Sequence, residues 1–192
     1  LTLNAPKVTG LDFLSSLWSL DSLTLDVSSQ ADFTPVAEVS SLTRFELNTD
    51  ADTLPTVTLA SGVTQVAIGA SYLTSLANLP HAPGATSLTM TYSPWLRDLT
   101  GIENLPNLHR LNLPSGMYSD LSPLTQLDAL EELKAANAAI SDVTPLAAMK
   151  TLVTLDVHTN QLTDIAALAA LPNLTSLNVS ENKLTTLGTA KS

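Results

Sequence analysis

The chain has 192 residues, with 8 Lys and Arg against 18 Asp and Glu, a formal net charge of −10. That balance argues against nucleic acid as a partner, because phosphate backbones are held by basic patches, and it suits a cationic protein surface instead. The absence of Cys excludes disulfides and thiolate chemistry, and no apolar run approaches the ~18 residues of a membrane span, so membrane insertion is not expected.

Aromatic residues make up only 4% of the chain, so any core must be aliphatic. Many small repeated layers suit such a core better than one thick centre. Taken in chain order, short alternating segments recur at Leu1-Thr2-Leu3, Leu23-Thr24-Leu25, Phe45-Glu46-Leu47, Val66-Ala67-Ile68 and Leu88-Thr89-Met90. They continue at Leu111-Asn112-Leu113, Leu133-Lys134-Ala135, Leu155-Asp156-Val157 and Leu177-Asn178-Val179. The successive offsets are 22, 22, 21, 22, 23, 22, 22 and 22. A fixed period of this length marks a stack of supersecondary units.

Each segment alternates with period two, the mark of a strand with one buried face. Between strands the spacing changes. In the sixth unit Tyr118, Leu121, Leu124, Leu127 and Leu130 follow at a strict three before Leu133. An α-helical face would mix threes and fours, whereas a strict three matches a 3₁₀ segment. Each unit therefore predicts a strand, a turn, a 3₁₀-like return and a second turn. One unit cannot bury enough apolar surface to hold itself ordered, so the units must stack. The expected fold class is an α/β repeat solenoid with a parallel β-sheet on the concave face and 3₁₀ segments or loops on the convex face. The whole of residues 1–192 is expected to be one domain of about nine repeats, starting near 1, 23, 45, 66, 88, 111, 133, 155 and 177.

The pattern Leu-x-x-Leu-x-Leu-x-x-Asn-x-Leu is cleanest over Leu152 to Leu162 with Asn160, and over Leu174 to Leu184 with Asn182. With the 22-residue period and the segments Ser119-Asp120-Leu121-Ser122-Pro123-Leu124 and Ser141-Asp142-Val143-Thr144-Pro145-Leu146, the chain resembles the leucine-rich repeats of internalins, surface proteins of Gram-positive bacteria. The resemblance covers the whole chain. It implies a leucine-rich-repeat horseshoe and an adhesin-type protein, secreted or in the cell wall, that binds another protein such as a host cell-surface receptor. The chain departs from the pattern at the Asn position, which elsewhere holds Pro6, Ser28, Asp50, Ser71, Ser93, Gly116 and Ala138. Gly and Ala cannot satisfy turn amides, so looser turns are expected there. The internalin N-terminal helical cap and immunoglobulin-like domain are also missing, which reads as a fragment, a processed form or a chain with disordered flanks.

Strand residues between the core positions face the concave surface. Their middle row is Thr2, Thr24, Glu46, Ala67, Thr89, Asn112, Lys134, Asp156 and Asn178; the next row is Asn4, Asp26, Asn48, Gly69, Thr91, Pro114, Ala136, His158 and Ser180. These rows are either a solvated sheet face or a protein-binding concavity, with Glu46, Asn112, Lys134, Asp156 and His158 as the contact residues. On one flank Tyr72, Trp95 and Met117 each precede the same core position in consecutive units, which predicts one apolar stripe. Trp95 and Tyr92 lie in the only 23-residue unit, whose extra residue should push the turn outward. Exposed aromatics favour a binding hot spot; the opposing reading has Trp95 and Tyr92 fold back over the irregular turn.

Asp98, Asp120, Asp142 and Asp164 recur one unit apart and are expected to accept free backbone amides at the start of each 3₁₀ segment. A calcium ladder along the stack is the alternative. His81, His109 and His158 fall at different repeat positions, so neither a metal site nor a cofactor is expected, and no catalytic motif marks an enzyme. Trp18, between Leu17 and Leu20, reads as a convex-side cover. Three functions are compatible with these features: a surface or secreted protein-binding scaffold, an intracellular regulatory subunit like the eukaryotic phosphatase regulators with 22-residue repeats, or a glycan-binding module using Tyr72, Tyr92 and Trp95 as a stacking platform.

Overall fold

The computed structural model describes residues 1–5, 8–27 and 31–185. Nine strands form one parallel sheet in chain order: β1 (Thr2–Asn4), β2 (Ser22–Asp26), β3 (Arg44–Thr49), β4 (Gln65–Ala70), β5 (Ser87–Tyr92), β6 (Arg110–Asn112), β7 (Glu132–Lys134), β8 (Thr154–Asp156) and β9 (Ser176–Asn178). Each core position pairs with its counterpart one unit on, as Leu25 with Leu47, Leu47 with Ile68, Leu88 with Leu111 and Leu133 with Leu155. A one-residue slip would turn every inward side chain outward, so the burial pattern and the register enforce one another. The inward residues join the returns in one continuous aliphatic core running the length of the stack.

The convex returns are less uniform than the spacing predicts. Short 3₁₀ segments occur at Asp12–Ser16, Ile102–Asn104, Ser122–Gln126, Thr144–Ala148 and Ala166–Ala170. The second unit instead makes one α-helical turn, α1 (Thr34–Ala37). Pro35, Pro123 and Pro145 stand in the first turn of their segments, where the fixed φ fits and no amide is needed. The returns after β3 and β4 are extended and meet their neighbours through the single bridges Thr58–His81 and Ser75–Asp98.

Two different corners end the strands. After β3 and β4 the strand runs on to a third inward residue, the buried Thr49 and Ala70. After β7, β8 and β9 the chain turns at once, with Asn137, Thr159 and Glu181 at φ near +55°. In the eighth and ninth units that turn residue is followed directly by Asn160 and Asn182. Asn160 Oδ1 accepts the amides of Ala138 (3.2 Å) and Ile140 (3.1 Å), while its Nδ2 donates to the carbonyls of Ala135 (2.9 Å), Val157 (3.0 Å) and His158 (3.2 Å).

Those bonds correct the expectation of loose turns. The corner at Ala138 is served by Asn160 from the following unit. At Gly116 the absent side chain leaves room for the buried ring of Tyr118, 3.0 Å from where a Cβ would stand. The Tyr118 hydroxyl donates to the Pro114 carbonyl at 3.0 Å, the same relative carbonyl that Asn160 reaches at His158. Burial pushes the Tyr118 phenol well above its ordinary pKa, so it stays a donor. Among the described residues no buried side-chain nitrogen or oxygen lacks a partner. Pro6 and Ser28, also assigned to this position, lie outside the described residues.

The extra residue of the 23-residue unit is absorbed within the strand, not in the turn. Between β4 and β5 the register slips after Ile68, so that Tyr92, not Thr91, pairs with Gly69. Thr91 and Tyr92 are consecutive exposed residues, as a β-bulge requires. Trp18 is corrected too: it is 84% exposed, tethered by its indole Nε1 to the Ser15 carbonyl (2.9 Å), and covers little.

Candidate binding surface

The middle concave row is assembled as its register requires: Thr24 lies beside Glu46, Glu46 beside Ala67, Thr89 beside Asn112, Asn112 beside Lys134, and Lys134 beside Asp156. The next row holds through Asn4, Asp26, Asn48 and Gly69, after which the bulge places Tyr92 in line with it. The Asn48 and Thr91 side chains lie over Gly69, with Asn48 Oδ1 2.6 Å and Thr91 Oγ1 2.8 Å from where a Cβ would stand. Asp156 and His158 form one unit: Nδ1 of His158 lies 2.6 Å from Asp156 Oδ1, which also accepts the His158 amide at 3.2 Å. Partial burial pushes the Asp156 carboxyl up, but the bonds from His158 outweigh it and hold the pKa below its ordinary value. The carboxylate can only accept, so Nδ1 carries the proton.

A third concave row escaped the sequence reading. It consists of the residues just before the first core position, among them Arg44, Gln65, Ser87, Arg110 and Glu132, which pair in register along the sheet. Period-two alternation was the available signal, since it turns the residues on both sides of each core position outward. Two ion pairs lie within single strands of this face: Lys134 Nζ to Glu132 at 2.7 Å, and Arg44 to Glu46 at 3.8 Å.

On the flank, the units bring Tyr72, Trp95 and Met117 to adjacent equivalent positions. The Arg97 amide donates to the Thr74 carbonyl (3.0 Å) and the Met117 amide to the Leu96 carbonyl (2.7 Å), which sets the register there. Each side chain stands next to a fully buried one, Leu73, Leu96 or Tyr118, yet is itself exposed: Tyr72 by 58%, Trp95 by 49% and Met117 by 46%. Tyr92 is 59% exposed, so neither it nor Trp95 is folded away over the turn. The Arg97 guanidinium lies 3.6 Å from Met117 Sδ, placing a cation beside the apolar group.

In the aspartate column Asp120, Asp142 and Asp164 hold the first amide of a 3₁₀ segment as expected, whereas at Asp98 the segment begins only at Ile102 and the aspartate holds the turn in front of it. Asp98, Asp120, Asp142 and Asp164 each accept the amide two residues on, from Thr100 (2.9 Å), Ser122 (2.8 Å), Thr144 (2.7 Å) and Ala166 (2.8 Å). The hydroxyl and then the amide of Thr100, Ser122 and Thr144 hold Asp98, Asp120 and Asp142 below the ordinary carboxylate pKa. Two further members went unrecognised: Asp32 caps Thr34 (2.9 Å), and Ser75 accepts the Ala77 amide (3.2 Å) while donating to Asp98 (2.9 Å). Counting from each first core residue would have found both. Among the described residues no group of three or more His, Asp or Glu is placed to hold a metal ion.

A parallel sheet growing one strand per 22-residue unit, with 3₁₀ returns and an Asn corner, defines a leucine-rich-repeat solenoid, an interaction scaffold of the internalin-like kind. The family model of the endo-beta-N-acetylglucosaminidase EndoS LRR domain matches residues 86–182, and the chain belongs to that family. Among solved structures it is similar to the internalin InlF of Listeria monocytogenes, with 23% identity and a TM-score of 0.69 over 95% of this chain and 54% of that one. It is similar also to internalin C2 of Listeria monocytogenes, with 25% identity and a TM-score of 0.58 over 97% of this chain and 74% of that one. A TLR13–ssRNA13 complex shares the fold at 19% identity, with a TM-score of 0.76 over 93% of this chain and 28% of that one. The chain thus spans about half the length of the InlF structure. No curated protein matches it in sequence.

Proposed function

We propose that residues 1–192 form a single leucine-rich-repeat domain that serves a bacterial surface or secreted protein as its partner-binding module, without catalysis of its own. The partner is another protein, such as a host cell-surface receptor, and the site of action is extracellular or in the cell wall of a Gram-positive bacterium. The observation that carries this reading is the flank: Tyr72, Trp95 and Met117 lie exposed in three adjacent units, with Tyr92 alongside, where other units place Ala51, Ala139 and Gln161. Large apolar side chains held outside a satisfied core, on rigid repeats, are the residue type that dominates binding energy. Glu46, Asn112, Lys134, Asp156 and His158 supply the polar part of the contact. The internalin resemblance supports the host-directed form of the proposal, and no helix among the described residues is long and apolar enough to cross a membrane.

The test is binding of the labelled chain to intact epithelial cells, beside a Tyr72→Ala/Trp95→Ala/Met117→Ala variant whose fold is checked by circular dichroism. Saturable binding lost in the variant supports an adhesin with its hot spot on the flank. Binding retained in the variant moves the contact to the concave rows. Absence of binding by both chains overturns the host-adhesin reading. A glycan reading is favoured by one specific finding, that the matching family is named for an endo-beta-N-acetylglucosaminidase. Tyr72, Tyr92 and Trp95 would then stack on sugar rings, and a glycan array read with and without the triple substitution separates the two.

A further inference from the structure

Among the described residues the concave face pairs its cations within single strands, with one exception. Arg44 has Glu46 two residues on, Lys134 has Glu132 two residues back, and His158 has Asp156 two residues back. Two residues along a strand return to the same face, which is why these pairs form. Arg110 has the neutral Asn112 at that position. Its other neighbour, Glu132, is in register with it on β7 but is bonded to Lys134 at 2.7 Å. Among the described residues Arg110 makes no ion pair. A depression of about 210 Å³ in the sheet, rich in hydrogen-bond donors, is lined by Ser87, Thr89, Arg110, Asn112, Glu132 and Lys134. Glu132 cancels Lys134, so Arg110 leaves a single positive charge at the centre of the face in a chain of net charge −10.

We propose that this depression takes one carboxylate of a partner protein, bound in a fork by the Arg110 guanidinium with Asn112 and the Ser87 and Thr89 hydroxyls around it. The proposal rests on the reading of the domain as a protein-binding scaffold and names what its concave face recognises. A guanidinium presents paired N–H groups that match a carboxylate, and the fixed strand backbone holds it in place. An acidic run is excluded by the rest of the face. Glu46 on β3 lies three strands away, roughly 14 Å, and Asp156 on β8 lies two strands away, roughly 10 Å, taking ~4.8 Å per strand. The fitting ligand is an extended segment laid across the strands, with one central Asp or Glu and a cation on either side. At ~3.3 Å per residue those cations stand about four residues away on one side and about three on the other.

The probe is an acetylated, amidated peptide of Ala and Ser carrying one glutamate, a lysine four residues before it and a lysine three residues after it, together with its reversed sequence. Binding to the 15N-labelled chain is followed by NMR. The expected result is a saturable shift of the Arg110 Nε–H and Asn112 side-chain amide signals by one of the two peptides. Replacing the glutamate by glutamine should weaken binding at least tenfold, and so should Arg110→Gln, while Arg44→Gln, which frees Glu46 for the peptide lysine, should not lower the affinity. The proposal is overturned if the glutamine peptide binds as well, if Arg44→Gln loses as much as Arg110→Gln, or if neither peptide moves Arg110. The Tyr72→Ala/Trp95→Ala/Met117→Ala variant should keep its peptide affinity. Failure of the flank in the cell assay and failure of the Arg110 site here are therefore separate results.

Discussion

Strands β2 to β5 span five or six residues and β6 to β9 only three, although the repeat averages 22 residues on both sides of the divide. Of the long strands, β3 and β4 end on an inward third residue, β5 ends in the bulge at Tyr92, and the corner positions after these three hold Asp50, Ser71 and Ser93. The short strands break at a residue with positive φ or at Gly116, and the corner amides are gathered by Asn160, Asn182 or the Tyr118 hydroxyl takes up a corner carbonyl. The same need, a partner for every buried backbone group, is met in one half by extending the ladder and in the other by a side chain. Stability is therefore concentrated differently in the two halves. The first half spreads it over strand pairing; the second half places it in a few polar residues.

The junction of the two halves should be the most sensitive point. Gly101 has φ +106°, and a Cβ there would stand 1.9 Å from the Leu76 carbonyl oxygen, with backbone as the obstacle. Gly101→Ala should lose about 4 kcal/mol in urea unfolding, from strain and overlap together. A loss under about 1 kcal/mol would show that this corner repacks freely.

Asn160 sharpens the contrast itself. Asn160→Ala strands two amides and two buried carbonyls and should cost roughly 3 kcal/mol. Ser93→Ala, at the same position in the first half, removes only a bond to the adjacent Tyr92 carbonyl and should cost roughly 1 kcal/mol or less. Equal losses would mean that the two corner types are not energetically distinct.

Converting one corner into the other is the next step down. Gly116→Asn places a Cβ 3.0 Å from the Tyr118 ring and should destabilise by about 2 kcal/mol. Adding Tyr118→Ile, which copies the equivalent residue one unit on, Ile140, should recover at least about 1 kcal/mol. Simple additivity of the two substitutions in a double-mutant cycle would refute the exchange.

The smallest effect concerns the aspartate caps. Asp120→Ala should cost about 1 kcal/mol near neutral pH. The folded-state pKa of Asp120 is lowered, so its contribution is complete above the ordinary value of 3.8 and is lost as pH falls through the folded pKa. Thermal melts of the two chains should accordingly converge below about pH 4. A constant gap through that range would remove the carboxylate from the explanation.

Much of this was legible in the residues. The 22-residue period dictates that each inward Leu meets its counterpart, and the sheet obeys it strand by strand. The amide bonds to Asp98, Asp120, Asp142 and Asp164 follow from the same counting. Other features were not legible because they depend on a partner one unit away. Thr159 is β-branched and would not be assigned a φ of +55°, yet its amide is fixed by the Ser180 carbonyl and its hydroxyl by Glu181. Tyr118 reads as one more core residue until Gly116 is seen beneath its ring.

The surface divides along the same line. Composition and alternation by themselves determined that this is a solenoid with an aliphatic core, which positions turn outward, and that Tyr72, Trp95 and Met117 share a flank. Only the tertiary structure decided that the extra residue bulges β5 so that Tyr92 enters the concave row, and that Glu132 turns to Lys134 and leaves Arg110 unpaired among the described residues. The physical reason is one of range. Burial periodicity is a property of each unit and is written in its own residues, whereas the choice among competing hydrogen-bond and charge partners is settled across neighbouring strands roughly 5 Å apart.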